Sequence, residues 1–145
     1  MALSAQDELR IGELVVRYAA AVTAGNAEQW GSTWAKDSTW HLRTKAVTGR
    51  DSIVALWRQL LPMYESILQL VTRGRLAEAG GVHGEWQVVE ILRRAGSDHD
   101  CLQVITYSDR YVREAEQWLF AERRLNVRYR REMPAGEFLA QSPAR

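Results

Sequence analysis

Two side chains in this 145-residue chain are placed for proton chemistry, Asp109 and His41. Asp109 alternates with Ile105, Tyr107 and Tyr111 along one strand face. If that face is concave, the carboxylate sits among apolar groups, where desolvation raises its pKa and makes it a useful base. Such a base suits proton abstraction next to a carbonyl, with Tyr107 or an indole N–H steadying the developing oxyanion. The weightier competing reading is a structural pair with an arginine such as Arg110, Arg124 or Arg128. Histidine is the side chain whose ordinary pKa lies nearest neutrality, which singles out His41. It has opposite strand parity to Trp40, so only one of the two can face inward. A hydrogen-bonded structural histidine is an equal reading for His41.

The aromatic residues suggest what surrounds such a group. Six tryptophans in 145 residues is high usage, and Trp34, Trp40, Trp57, Trp86 and Trp118 fall at positions expected to point inward. With Tyr107, the residues Trp40, Trp57, Trp86 and Trp118 are the candidate walls of a site for a small apolar or aromatic molecule. For any one tryptophan, plain core packing is the stronger reading. Asp98, His99 and Asp100 are adjacent on a turn and cannot converge on one ion. The chain has no His-x-x-His, Cys-x-x-Cys or Glu-x-x-His spacing, no phosphate-binding glycine loop and no Gly-x-Ser-x-Gly elbow. Neither a metal nor a cofactor is therefore expected.

The elements that must position these residues fall into a helical front and a stranded back. Apolar residues at three- and four-residue steps from Leu9 to Val22 predict a helix over 4–24, capped by Ser4 and stopped at Gly25. Asn26 can cap a short second helix over 27–34. A strand over 39–43 follows, and a third helix carries Ile53, Leu56, Trp57, Leu60 and Leu61, capped by Asp51 or Ser52. Residues 66–72 read as a strand that Arg73-Gly74-Arg75 bulges or continues. Three long strands then run over 82–94, 100–113 and 118–131, joined by turns at 95–98 and 114–117. Strands this long must twist and coil, so the sheet curls around its own side chains. The fold class is α+β: a cone-shaped, mainly antiparallel sheet closed by three N-terminal helices. The domain spans 1–132, and 133–145 is a flexible tail unless Phe138 and Leu139 dock.

The segments "ELVVRYAAAVTAGNAEQWGSTWAKDSTWHL", "GRDSIVALW" and "DRYVREAEQWLFAERRLNVRY" resemble the cone fold of the nuclear transport factor 2 superfamily. Within it they are most similar to the SnoaL-like group, which includes scytalone dehydratase and the SnoaL polyketide cyclases. The likeness runs from about Asp7 to Tyr129. That scaffold hosts dehydratases, isomerases, cyclases, hydrolases and non-enzymatic binders, so it speaks to fold more than to reaction. The resemblance places the dehydratase's Tyr-Asp pair on Val22 and Thr23. Its two pocket histidines fall near Gln69 or Leu70 and on Trp86, and its first-strand tyrosine near Trp40 or His41. Those side chains do not reproduce its acid–base machinery, and dehydration by that mechanism is not expected.

The remaining bounds are coarse. A formal net charge of +1 argues against nucleic-acid or anionic-membrane partners. The basic run Arg123, Arg124, Arg128, Arg130, Arg131 reads as a solvated strand face ahead of a phosphate site. Cys101 is the only cysteine, which points to a reducing compartment. Residues 1–7 have no signal-peptide character, and no apolar run approaches the ~20 residues of a membrane span. A cytoplasmic location is expected. Leu102, Val104 and Val112 on the outer sheet face predict a homodimer packed sheet to sheet. Two function classes remain open. One is a small-molecule pocket, with or without a cofactor-free isomerase, cyclase or dehydratase reaction based on Asp109 or His41. The other is a non-catalytic carrier or structural subunit, as in the small subunits of ring-hydroxylating dioxygenases.

Overall fold

The computed structural model describes residues 2–138. Helix α1 (Ala5–Ala24) starts where the Ser4 hydroxyl accepts from the Asp7 N–H at 3.0 Å, and it ends on Gly25 with φ 65°. Helix α2 (Ala27–Gly31) is capped by Asn26, and strand β1 (Trp34–His41) follows at once. Trp34 therefore begins a strand instead of closing a helix as the sequence predicted. Its bulk and full burial suit the pleated inner face. Strand β2 (Ala46–Thr48) precedes helix α3 (Arg50–Leu60), whose N-cap is Gly49 and makes no side-chain cap bond. The expected caps Asp51 and Ser52 lie inside its first turn.

A 3₁₀ turn at Leu61–Met63 leads into the meander: β3 (Tyr64–Glu78), β4 (Val82–Arg94), β5 (His99–Glu114) and β6 (Gln117–Pro134). The meander thus begins well before Leu76, since Arg73-Gly74-Arg75 continues β3 through an irregularity between Val71 and Arg73. One six-stranded sheet results, in the order β2-β1-β6-β5-β4-β3. All neighbours are antiparallel except β1 and β6, which run parallel. This is the curved, mainly antiparallel α+β cone expected from the sequence.

Alternation sets the two sheet faces. On β5, Cys101, Gln103, Ile105, Tyr107, Asp109 and Tyr111 point inward and are buried, while Leu102, Val104 and Thr106 point outward. Helix α1 packs over the inner face with Ile11, Leu14, Val15, Tyr18 and Val22, joined by Trp30, Ile53 and Trp57. Past β6, residues 135–138 lie back across the sheet. The Ala135 N–H bonds the Asp98 carbonyl, and Phe138 stacks on the Arg93 guanidinium at 4.9 Å. Leu139, the other residue expected to dock, lies outside the described residues. Among the described residues no helix is long and apolar enough to cross a membrane.

The β5–β6 turn places two non-glycine residues, Ala115 (φ 46°) and Glu116 (φ 66°), in the left-handed region. Each costs about 1–2 kcal/mol relative to a residue suited to it. The double substitution Ala115→Asn with Glu116→Gly should relieve that strain. Thermal unfolding is expected to show a rise of several degrees; an unchanged midpoint would contradict the strain.

Candidate functional site

Inside the cone the first organising group is not one the sequence singled out for that role. Arg123 is 1% exposed, and its Nε donates to Asp109 Oδ1 at 3.0 Å. Its guanidinium carbon lies 3.8 Å from the ring centre of Tyr107, 4.2 Å from Tyr18 and 4.4 Å from Phe120. The Tyr111 hydroxyl donates to Asp109 Oδ2 at 2.8 Å and accepts from Trp86 Nε1 at 2.7 Å. Trp86 can lie that close because it crosses Gly74, where a Cβ would collide with the indole ring. Burial pushes the Asp109 carboxyl up to about 6, although Arg123 and Tyr111 both pull it down.

The pairing of Asp109 follows the structural reading, with a different arginine from the three considered. The cause is a β-bulge. Tyr111 faces Phe120 while Arg110 faces Glu122, so Ala121 is the extra residue. One inserted residue reverses parity beyond it, turning Arg123 inward and Arg124 outward. His41 lies on the outer side of β1, where its Nε2 sits 3.1 Å from Glu122 Oε2, and Trp40 is the inward residue of the two. Asp109 and His41 are therefore not neighbours in one site.

The tryptophans divide in the same way. Trp30 stacks on Trp57 at 4.5 Å and meets Trp34 and Trp40 edge-on at 5.5 and 5.2 Å. These four fill the closed end of the cone. Trp118 is half-buried at the rim, donating from Nε1 to Asp7 Oδ1 at 2.9 Å. Tyr107 is buried between this cluster and the open half of the inner face.

That open half holds a second buried carboxylate, Glu90, which the sequence reading missed. It is 8% exposed on the inward face of β4 and has no cationic partner among the described residues. Two neutral amides serve it instead: Gln69 Nε2 donates to Oε2 at 2.7 Å, and Gln103 Nε2 donates to Oε1 at 2.9 Å. Burial pushes the Glu90 carboxyl up, and the two amides only partly offset this. Gln69 Nε2 also reaches the Tyr107 hydroxyl at 3.3 Å, while Gln69 Oε1 is buried with no partner. The Gln69 N–H donates to Thr23 Oγ1 at 3.0 Å. Thr23 and Gln69, two positions that the resemblance links to acid–base residues, thus touch each other beside Glu90. The available signal was parity, since Glu90 shares a face with Trp86, Val88 and Leu92.

Asp109 lines a hollow of about 480 Å³ with His83, Gly84 and Ser108, whereas Glu90, Gln69 and Gln103 line none of the hollows described. Thr23 and Ile67 line a groove of about 600 Å³ together with Leu68, Ile91, Met133 and Phe138, so it draws on residues of both sheet faces. Leu92 and Cys101, the next inward pair beyond Glu90 and Gln103, line a hollow of about 120 Å³. Neither is lined by Trp40, Trp57, Trp86, Tyr107 or Trp118. Among the described residues, no three His, Cys, Asp or Glu side chains are grouped to hold a metal ion.

The pair and the cluster should respond differently to substitution. Arg123→Met leaves the Asp109 carboxylate buried without its cation and is expected to cost about 3–5 kcal/mol in denaturant unfolding. Adding Asp109→Leu in the same chain should recover much of that loss. A double variant no more stable than the single one would contradict the role given to the pair.

Comparison with known proteins agrees with this architecture. No curated protein matches the sequence. A type 2 hexachlorocyclohexane dehydrochlorinase (LinA) superposes with a TM-score of 0.83 at 20% identity over 96% of each chain. A type 3 LinA from Novosphingobium barchaimii LL02 gives 0.83 at 17% identity, covering 94% of this chain and 96% of that one. A putative scytalone dehydratase from Novosphingobium aromaticivorans gives 0.80 at 15%, covering 97% and 95%. At these identities the likeness is one of fold. The SnoaL-like domain model matches residues 4–124, nearly the whole cone, and the chain belongs to that family within the nuclear transport factor 2-like superfamily.

Proposed function

We propose that this chain binds a small, largely apolar molecule on the open half of the cone's inner face, with Glu90 as the group that moves a proton. The observation that carries this reading is a carboxylate buried among neutral partners. A carboxylate so desolvated holds its proton at higher pH than usual and is a stronger base when ionised. Asp109 is less suited, because Arg123 offsets its charge. The unmet Gln69 carbonyl beside Glu90 supports a ligand with a hydrogen to donate. The chemistry that fits is cofactor-free: Glu90 takes a proton from carbon next to a carbonyl, and the electron pair moves onto the oxygen. An isomerase or lyase step follows according to where the proton returns or which group leaves. The dehydratase and dehydrochlorinase names of its structural neighbours are consistent with lyase chemistry on small molecules. The buried free thiol of Cys101 supports a cytoplasmic setting.

A non-catalytic carrier or structural subunit is the second reading. It is favoured by the way Trp30, Trp34, Trp40 and Trp57 close the deep end of the cone. Both readings take a second copy as partner. On the outer face Leu70, Val89, Val104 and Tyr129 form one cross-strand row, and Leu68, Ile91 and Leu102 lie in the next. Leu70 and Tyr129 are 49% and 50% exposed, an apolar band suited to a self-complementary interface.

Glu90→Gln tests the site, since it keeps the shape and places a third amide in the cluster. With a panel of small aromatic and cyclic ketones, turnover is expected to fall at least about a hundredfold with folding retained. In the unaltered protein the acid limb of the rate should lie above the ordinary glutamate range and vanish in the variant. Ketone binding without turnover in either protein would favour the carrier. Separately, Leu70→Asp is expected to convert a dimer to a monomer in sedimentation; a monomeric parent protein would refute the interface.

A further inference from the structure

Of the basic run on β6, Arg124, Arg128 and Arg130 are exposed and lie outside the inner site. Two hollows of about 610 Å³ each lie along this run and share Arg128. Together they are lined by Arg43, Arg73, Arg75, Arg124, Arg128 and Arg130, against Glu85 as the only acid. The whole chain is nearly balanced, with 19 Lys and Arg against 18 Asp and Glu, so overall basicity does not explain this concentration. Arg75 pairs with Glu85 at 3.5 Å and Arg130 with Glu132 at 3.6 Å. Arg43, Arg73, Arg124 and Arg128 enter no ion pair among the described residues. Like charges gathered without acids repel, and a bound anion relieves that cost.

Register supplies the rest of the site. Arg73, Gln87, Thr106 and Asn126 stand opposite one another across β3, β4, β5 and β6, forming a single row on the outer face. The adjacent row is Arg75, Glu85, Ser108 and Arg124. Three strand spacings of about 4.8 Å make each row about 14 Å long. Along the first row guanidinium, amide, hydroxyl and amide groups can all donate hydrogen bonds, and Arg128 closes its end. Phosphate oxygens only accept, and guanidinium is the side chain best matched to them. A short chain of linked phosphates laid across the strands would find a donor at every step. We propose that this cradle binds an oligophosphate, free or as part of a phosphorylated small molecule. It flanks the apolar rows on the same outer face.

The test is titration calorimetry of the full chain with inorganic tripolyphosphate at constant ionic strength, then with a nucleoside triphosphate. Binding is expected, and Arg128→Gln should weaken it about tenfold or more, since one charge-assisted contact shared by both hollows is lost. Arg17→Gln, on the exposed side of α1, should leave it unchanged. Equal affinity for the two probes assigns recognition to the phosphates alone; tighter binding of the nucleotide assigns part of it to the attached group. Unchanged thermal midpoints of the ligand-free variants exclude unfolding as the cause. No binding of tripolyphosphate would overturn the proposal. So would equal weakening by Arg17→Gln, or a preference for a single-stranded oligonucleotide over both phosphate probes.

Discussion

The arrangement of this cone depends on one buried ion pair. Arg123 and Asp109 sit opposite each other on β6 and β5, almost without solvent, and a lone charge there would be prohibitive. Satisfying the pair fixes much around it. The aromatic rings of Tyr18, Tyr107 and Phe120 enclose the guanidinium, which ties α1 to the sheet. Tyr111 occupies the remaining carboxylate oxygen and orients Trp86, which in turn requires glycine at position 74. The stack of Trp30, Trp34, Trp40 and Trp57 then seals the closed end. Fixed in this way, the part of the cone around these tryptophans is core.

The two buried carboxylates differ in what holds them. Asp109 is held by a cation and a hydroxyl. Glu90 is held by two amides, which satisfy its oxygens without cancelling its charge. In a low-dielectric setting a full neutralising charge and a dipole are far apart in effect. The SnoaL-like scaffold keeps its shape here while the side chains at Thr23 and Gln69 offer hydrogen bonds and no titratable group. On the function proposed above, Glu90, one strand away, is the group assigned to proton chemistry.

Much of the fold was legible because it rests on periodicity. The amphipathic stripe of α1, the caps at Ser4, Gly25 and Asn26, and the alternation along β5 each map onto one physical requirement. What could not be read depended on single-residue shifts. The bulge at Ala121 moves Arg123 inside and Arg124 outside, and no local sequence cue distinguishes the two. Trp34 starts a strand where helical spacing with Trp30 had suggested a helix, because β1 gains its parallel pairing only from β6, far along the chain. The candidate-site reading depends on tertiary surroundings in a different way. Attention to Asp109 and His41 passed over Glu90, although its parity with Val88 and Leu92 placed a charge on an apolar face. Whether a buried carboxylate is neutralised is a tertiary fact.

The most direct measurement is the pH titration of the Glu90 side-chain carboxyl carbon by NMR in the ligand-free protein. Burial among amides should place its midpoint above the ordinary glutamate value of 4.5. A midpoint at or below that value would mean that the carboxylate is solvated or paired with a cation, and the inner face would lose its base.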